Sequence, residues 1–333
     1  MKIALCTTTI HVPHALKLLR KCSEDVMFFV ALDKKSPIGE IMLSFRDLED
    51  NCKFLTPDYQ SSWKCSEALG FNTIARRNTA FLEALWWGAD VIYSWDDDNI
   101  PTSPHHFVPF DGPWVFDGIE VGAPEWFDPG FLLIPRTRHR GIPARKLDAP
   151  RVGHVVDAKV GVMAGLVIGD PDIDAVTRME HRPDIGAVHL LGQAGVVVDL
   201  PTCTVFNSQN TAVIRELIPA WFMMPGVGRH DDIYASLIVQ RVARERGYHV
   251  FFGPPFTYQQ RNEHSLIKDL RAEIDGMENV EKLADLLDSV VLHGRTVIDD
   301  VRRIYETLLH CDFLPTKSVE AGLLWLEDCE GVL

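Results

Sequence analysis

Three apolar runs of strand length, each closed by polar residues, constrain this chain more than any other feature. Lys2-Ile3-Ala4-Leu5-Cys6 runs into Thr7-Thr8-Thr9. Val26 to Leu32 runs into Asp33-Lys34-Lys35-Ser36-Pro37. Ala89 to Trp95 runs into Asp96-Asp97-Asp98-Asn99. Between them, Pro13 to Cys22 has apolar positions at helical spacing, and Asn72 to Gly88 reads as a helix closed by glycine. Strand, helix and strand in this order predict right-handed crossovers and a mainly parallel sheet, an α/β fold. With 333 residues, 46% of them apolar, the chain has material for a sizeable core.

Ligands of such sheets collect at the carboxyl ends of the strands, so the three polar segments are expected on one rim. None of them is glycine-rich, and the chain has neither GxGxxG nor GxxxxGK[ST]; dinucleotide and P-loop readings lose their support. Adjacent carboxylates raise one another's pKa unless a cation is shared. Strand alternation puts Asp96 and Asp98 on one side and Asp97 on the other. Hard oxygen donors at that spacing suit magnesium or manganese, which also bind phosphates. A divalent ion bridging a diphosphate would stabilise it as a leaving group, the logic of the DxD motif of sugar-nucleotide glycosyltransferases. The competing reading is a solvated acidic turn.

The remaining segments read more loosely. Pro101 to Pro150, rich in proline, glycine and aromatics, is expected to be irregular or in short strands. Within it begins a basic stretch, 136–151, with Arg136, Arg138, Arg140, Arg145, Lys146 and Arg151 against one acid, Asp148. A helix is expected to start near Thr211, capped by Asn210. Another spans Arg229 to Gly247, its first turn carrying Asp231 and Asp232, which suits the helix dipole. Tyr248 to Phe252 reads as a strand, and the pattern is helical from Leu266. Trp86-Trp87 reads as helix packing. The net charge of −14 argues against non-specific nucleic-acid binding, although a local basic patch can override it. Seven cysteines without a CxxC pair read as reduced thiols. With no signal-peptide pattern and no membrane-length apolar run, the expected location is cytoplasmic, the host cytoplasm if the protein is viral.

Several motifs taken together resemble a family. TTTIHVP (7–13), LDKKSP (32–37), ARRNTAFLEALWWGADVIYSWDDDN (75–99), RGIP (140–143), FNSQNT (206–211), RHDDIY (229–234) and QQRNEHSLIKDLRAEI (259–274) occur in the order seen in STELLO-type glycosyltransferases. They are more distantly similar to the reversibly glycosylated polypeptides, the UDP-arabinopyranose mutases. The resemblance runs to about residue 290, and FNSQNT and RNEHS are its specific pieces. It implies a GT-A fold, a nucleotide-binding αβα sandwich, and a nucleotide-sugar donor, UDP-linked by preference. It divides the chain into a catalytic domain at 1–265, with a donor half to about 110 and an acceptor half beyond it, and a helical extension at 266–333.

The roles that follow combine residue chemistry with that resemblance. Asp96 and Asp98 are the metal and diphosphate ligands, with Asp97 sharing the site and His264 as a third metal ligand; the ion is Mn2+ or Mg2+. Thr7, Thr8 and Thr9 line the nucleoside pocket, and Asp33 resembles the family acid that holds base or ribose. Arg76, Arg77 and Asn78 face the diphosphate or the acids. Asn207, Gln209 and Asn210 offer amides to sugar hydroxyls. Asp232, with Asp231 close behind, is the base for an acceptor hydroxyl. Arg138, Arg140, Arg145 and Arg151 are expected to touch phosphates of the donor or of a polyanionic acceptor. The activity this implies is sugar transfer to a hydroxyl. The rivals are a glycosyltransferase acting on hydroxymethylated bases of DNA, a nucleotide-sugar mutase, and a non-catalytic scaffold. The mutase reading is weakened because no arginine after RGIP falls in register with the one that takes the sugar in the reversibly glycosylated polypeptides.

Overall fold

A computed structural model describes residues 1–21, 25–102, 115–122, 125–146, 150–191, 195–260 and 265–333. In chain order the elements are β1 (Ile3–Thr9), α1 (His14–Lys21), β2 (Val26–Leu32), α2 (Ile38–Ser44), β3 (Cys52–Leu55), α3 (Pro57–Gln60), α4 (Arg77–Trp87), β4 (Val91–Trp95), β5 (Asn99–Pro101), β6 (Val115–Gly122), β7 (Leu133–Ile134), β8 (Arg151–Gly169), α5 (Ala175–His181), β9 (Ala187–Val188), β10 (Val196–Val198), β11 (Asn210–Ile214), α6 (Asp231–Glu245), β12 (His249–Gln259), α7 (Leu266–Ser289), α8 (Val297–Leu308) and α9 (Thr316–Glu330).

One sheet in the order β3-β2-β1-β4-β11-β8-β6-β10-β12-β5 organises the molecule, with β8 also pairing β12. Its first four strands are parallel, as the strand–helix–strand pattern predicts. The rest is mixed, which corrects the expectation of a mainly parallel sheet. β11 runs antiparallel to both β4 and β8, and β6 antiparallel to β8. The helix expected near Thr211 is this strand. Thr211, Val213 and Ile214 are β-branched, and the gap between β4 and β8 supplies hydrogen-bonding partners on both edges. β8, to which the sequence reading assigns no element, is 19 residues long and joins the two halves of the sheet. β12 outlasts its expected end at Phe252. Pro254 and Pro255 lack donors, and its register against β8 shifts between Gly253 and Thr257 before pairing resumes.

Side-chain alternation along β1 separates two cores. Ala4 and Cys6 pack with α4 and the C-terminal helices, while Leu5 packs with Leu16 and Leu19 of α1 and Ile41 of α2. The sheet therefore has helices on both faces. Three polar termini meet at one rim: the end of β1, the end of β4 and the start of β11, where Asn210 pairs with Trp95.

Candidate functional site

The turn between β4 and β5 carries Asp96, Asp97 and Asp98, and the backbone pins it. Asn99 N–H donates to Asp96 O (3.1 Å), Asp96 N–H to Gln209 O (3.2 Å), and the Asn99 amide to the same Gln209 O (2.8 Å). Asn99 thus orders the turn from below. Arg77, at the start of α4, is buried; its guanidinium donates to Asp96 Oδ1 (2.6 Å), Ser94 Oγ (2.8 Å) and Ser208 O (3.0 Å). Thr9 is hydrogen-bonded to the Asp97 carboxyl. Burial, with Asp96 beside it, holds that carboxyl above the usual range despite the Thr9 bond.

A cavity of about 1050 Å³ opens over this turn. Thr8, Thr9 and Ile10 to Ala15 form one wall, Asn72 to Ile74 and Arg77 another, and Asp96 to Asp98 the floor. The far wall holds Arg140, Asp172, Ser208, Gln209, Gly228, Arg229, Asp231, Asp232, Gln259 and Gln260. Asp231 and Asp232 enter at the first turn of α6. Asp232 is buried and fully engaged: it accepts from Ser208 N–H (2.9 Å), Ser208 Oγ (3.1 Å) and Arg140 Nη2 (3.1 Å). Asp231 is half-buried and, among the described residues, accepts from the Asp232 amide (2.9 Å). Burial first, then the neighbouring Asp232, push its carboxyl well above the ordinary value.

Several residues singled out in the sequence lie elsewhere. Thr7 is buried behind the wall. Asp33 does not face the cavity. It is buried and accepts from the amides of Lys34 (2.7 Å), Asn72 (2.6 Å) and Thr73 (3.3 Å), so it holds the 72–73 wall in place. Arg76 is fully buried on Gln60 and Ser66, and Asn78 is tied to the backbone of Met223. Successive helical residues diverge by about 100°, so Arg77 reaches the rim and its neighbours do not. Asn207 sits behind Gln209, beside His139. Asn210 is a buried strand residue against Gly165, not a helix cap. Within the basic stretch, three of the six cations are engaged by acids of the fold and three, Arg136, Arg145 and Arg151, are exposed. Arg138 forms a two-pronged pair with Asp174 (3.0 and 2.7 Å), Arg140 is clamped between Asp172 and Asp232, and Lys146 pairs with Glu125. Arg145 and Arg151 are exposed away from the cavity. His264 lies outside the described residues. Trp86, expected to pack, is 67% exposed; Trp87 packs edge-on against Phe29.

The sequence reading missed His11, His14, Asn72, Asp172, Ser208, Arg229, Gln259 and Gln260. Most of these stand inside motifs quoted for the resemblance: His11 in TTTIHVP, Ser208 in FNSQNT, Arg229 in RHDDIY, both glutamines in QQRNEHS. Asking which polar residues of each motif had no role would have found them.

A divalent cation can be weighed against these residues. Among the described residues no three His, Cys, Asp or Glu side chains are grouped to hold an ion by themselves. Arg77 already engages one oxygen of Asp96. The set fits an ion held by one or two carboxylates of the turn and completed by ligand phosphates, the usual way magnesium sits on a nucleotide.

No protein-family model matches the sequence, and no curated protein is detectably similar. Among solved structures, one similar chain is described as a glucose-1-phosphate thymidylyltransferase from Bacillus anthracis in complex with a sucrose. It shares 7% identity over 88% of this chain and 98% of that one, with a TM-score of 0.37. A superposition that loose carries no weight for fold family or activity. No described helix is long and apolar enough to cross a membrane.

Proposed function

We propose that the cavity binds a nucleoside diphosphate-sugar, UDP-linked in the first instance, and transfers the sugar to a hydroxyl acceptor. The observation that carries this reading is the assembly, in one cavity, of two separate aspartate runs with a wall of threonines and amides. The lining holds six carboxyl and three guanidinium groups, an excess of three acidic over basic groups. A diphosphate entering such a site requires a cation. Asp98, with Asp97 or the second oxygen of Asp96, would hold Mg2+ or Mn2+, which supplies charge neutralisation of the departing diphosphate.

The chain's own residues do the rest. Thr8, Thr9 and the apolar side chains of Ile10, Val12 and Leu18 receive the nucleoside. Arg77 holds Asp96 and, through Ser208 O, the strap between the two acid runs. Gln209 and Gln259, bonded to each other, present amides to the sugar hydroxyls. Asp231 takes the acceptor proton. Its raised pKa brings it toward the working range of a general base, whereas Asp232 is occupied with Arg140 and Ser208. This moves the base assignment from Asp232 to Asp231. For a nucleic-acid acceptor, Arg138 and Arg140 are already paired internally, which leaves only the exposed Arg136, Arg145 and Arg151 of the basic stretch to contact phosphates.

The test is manganese-dependent hydrolysis of a panel of nucleotide sugars. The expected result is slow hydrolysis of one donor, abolished by EDTA and by Asp98→Ala. Asp231→Asn should retain donor binding and lose transfer to hydroxyl acceptors. Absence of binding for every donor tested would end the reading.

A further inference from the structure

Glu273 lies on α7, inside the segment that the sequence presents as a separate extension. It is nevertheless buried against the site. Its carboxylate accepts from the Ala175 amide (2.8 Å), which opens α5, and from Arg229 Nε (3.0 Å). Arg229 also reaches Asp172 Oδ1 (3.1 Å) and Asp269 Oδ1 (3.5 Å). Asp172 pairs with Arg140, and Arg140 holds Asp232. A continuous ionic path therefore joins α7 to the acid pair of the cavity.

Backbone packing follows the same line. The turn Gly228–His230 that delivers Asp231 is pressed onto α7. A Cβ on Gly228 would lie 2.2 Å from Ala272 O, and one on Gly276 would lie 2.0 Å from His230 Nδ1. Both contacts exclude any larger residue. His230 is completely buried and has no hydrogen-bond partner at either ring nitrogen; burial pushes its pKa down to about 3. It is a neutral spacer. The charged groups around Asp231 are then Asp232, Asp172, Arg140 and Arg229, with Glu273 behind both arginines.

We propose that α7 is an integral part of the site, with Glu273 as a positioning residue. It fixes Arg229 and, with it, the turn that carries Asp231, and it offsets the positive field of Arg140 and Arg229 on the Asp231–Asp232 pair. The role in proton transfer rests on the transferase reading; the structural and electrostatic role does not. Burial raises the Glu273 carboxyl, and Arg140, the Ala175 amide and Arg229 lower it; where it is ionised, removing its charge leaves the two guanidinium groups less compensated, which favours ionised Asp231.

The experiment is a carboxyl 13C NMR titration of the full chain, labelled at aspartate, without divalent ions. The Asp231 resonance is assigned by its loss in Asp231→Asn. Glu273→Gln is expected to lower the Asp231 midpoint by roughly half a unit, about a threefold loss of proton affinity. Glu273→Asp, which keeps the charge, is expected to restore the wild-type midpoint. An unchanged midpoint in Glu273→Gln, or equal shifts in the Gln and Asp variants, overturns the proposal. If Glu273→Gln does not fold, Asp269→Asn takes its place: a smaller downward shift supports the proposal and none overturns it. The readout needs no donor, so a protein that proves inactive toward nucleotide sugars leaves this inference standing, and the reverse also holds.

Discussion

Asp96-Asp97-Asp98 and Asp231-Asp232 are both runs of adjacent acids on one cavity, yet they are held in opposite ways. The first sits on a turn that backbone hydrogen bonds shape, and one guanidinium, Arg77, pairs with one of its three carboxylates, Asp96. The second is knitted into a buried ion network that reaches four segments of the chain. Backbone bonds and the Asn99 amide shape the first turn. The second region would not survive the loss of Asp232. What differs is where the compensating charge comes from: inside the fold for the pair, and in our reading from a bound cation for the triplet.

The largest expected effect tests that difference directly. Asp232→Ala leaves Arg140 half-compensated in the interior and Ser208 without an acceptor, so it should lower stability by about 3–5 kcal/mol in urea unfolding. Next comes Arg76→Met. It removes buried hydrogen bonds to Gln60 and Ser66 and should cost about 2–3 kcal/mol, with no change in donor affinity by calorimetry. A change in affinity would put Arg76 back in the site.

Asp128 sharpens the comparison as a buried carboxylate with backbone donors and no ion pair among the described contacts. It accepts from Gly130 N–H (2.8 Å) and His139 N–H (3.1 Å), and burial pushes its pKa up to about 7. The folded state therefore binds the extra proton between the ordinary carboxylate range and about pH 7. Stability from this group is present at the low end of that window and is lost as pH rises through it, by at most ~1.4 kcal/mol per unit. Asp128→Asn should flatten the pH dependence of the unfolding midpoint between about pH 4 and 7. The smallest effect is expected at the half-buried turn: Asp98→Ala should cost about 1 kcal/mol or less while removing metal-dependent donor binding. A loss as large as that of Asp232→Ala would erase the contrast between the two runs.

Much of the rim was legible in advance. β1, β2, α4 and β4 follow from periodicity, and their order dictates that Thr8, Thr9 and Asp96 to Asp98 share one end of a parallel sheet. The acids of α6 were legible as a helix start, and α7 as a long helix. The insertion of β11 was not, because the five-residue run Asn210–Ile214, with three β-branched residues, satisfies a short helix and a strand equally well until its neighbours are known. The role of the basic stretch was not legible either. Composition reports that arginines are present; it does not report that Asp172, Asp174 and Asp232 fold onto them.

The sequence by itself determined which residue types stand at the strand ends and helix starts, because those depend on interactions within a few residues. Tertiary structure decided which of them face the cavity and how each aspartate is held. The deciding contacts join residues far apart in the chain: Thr9 with Asp97 across 88 positions, Arg140 with Asp232 across 92, Arg77 with Ser208 across 131. No local pattern encodes such partners. The charge state of a carboxylate depends on them, because burial and neighbouring guanidinium groups set its free energy far more than the residues beside it in sequence do.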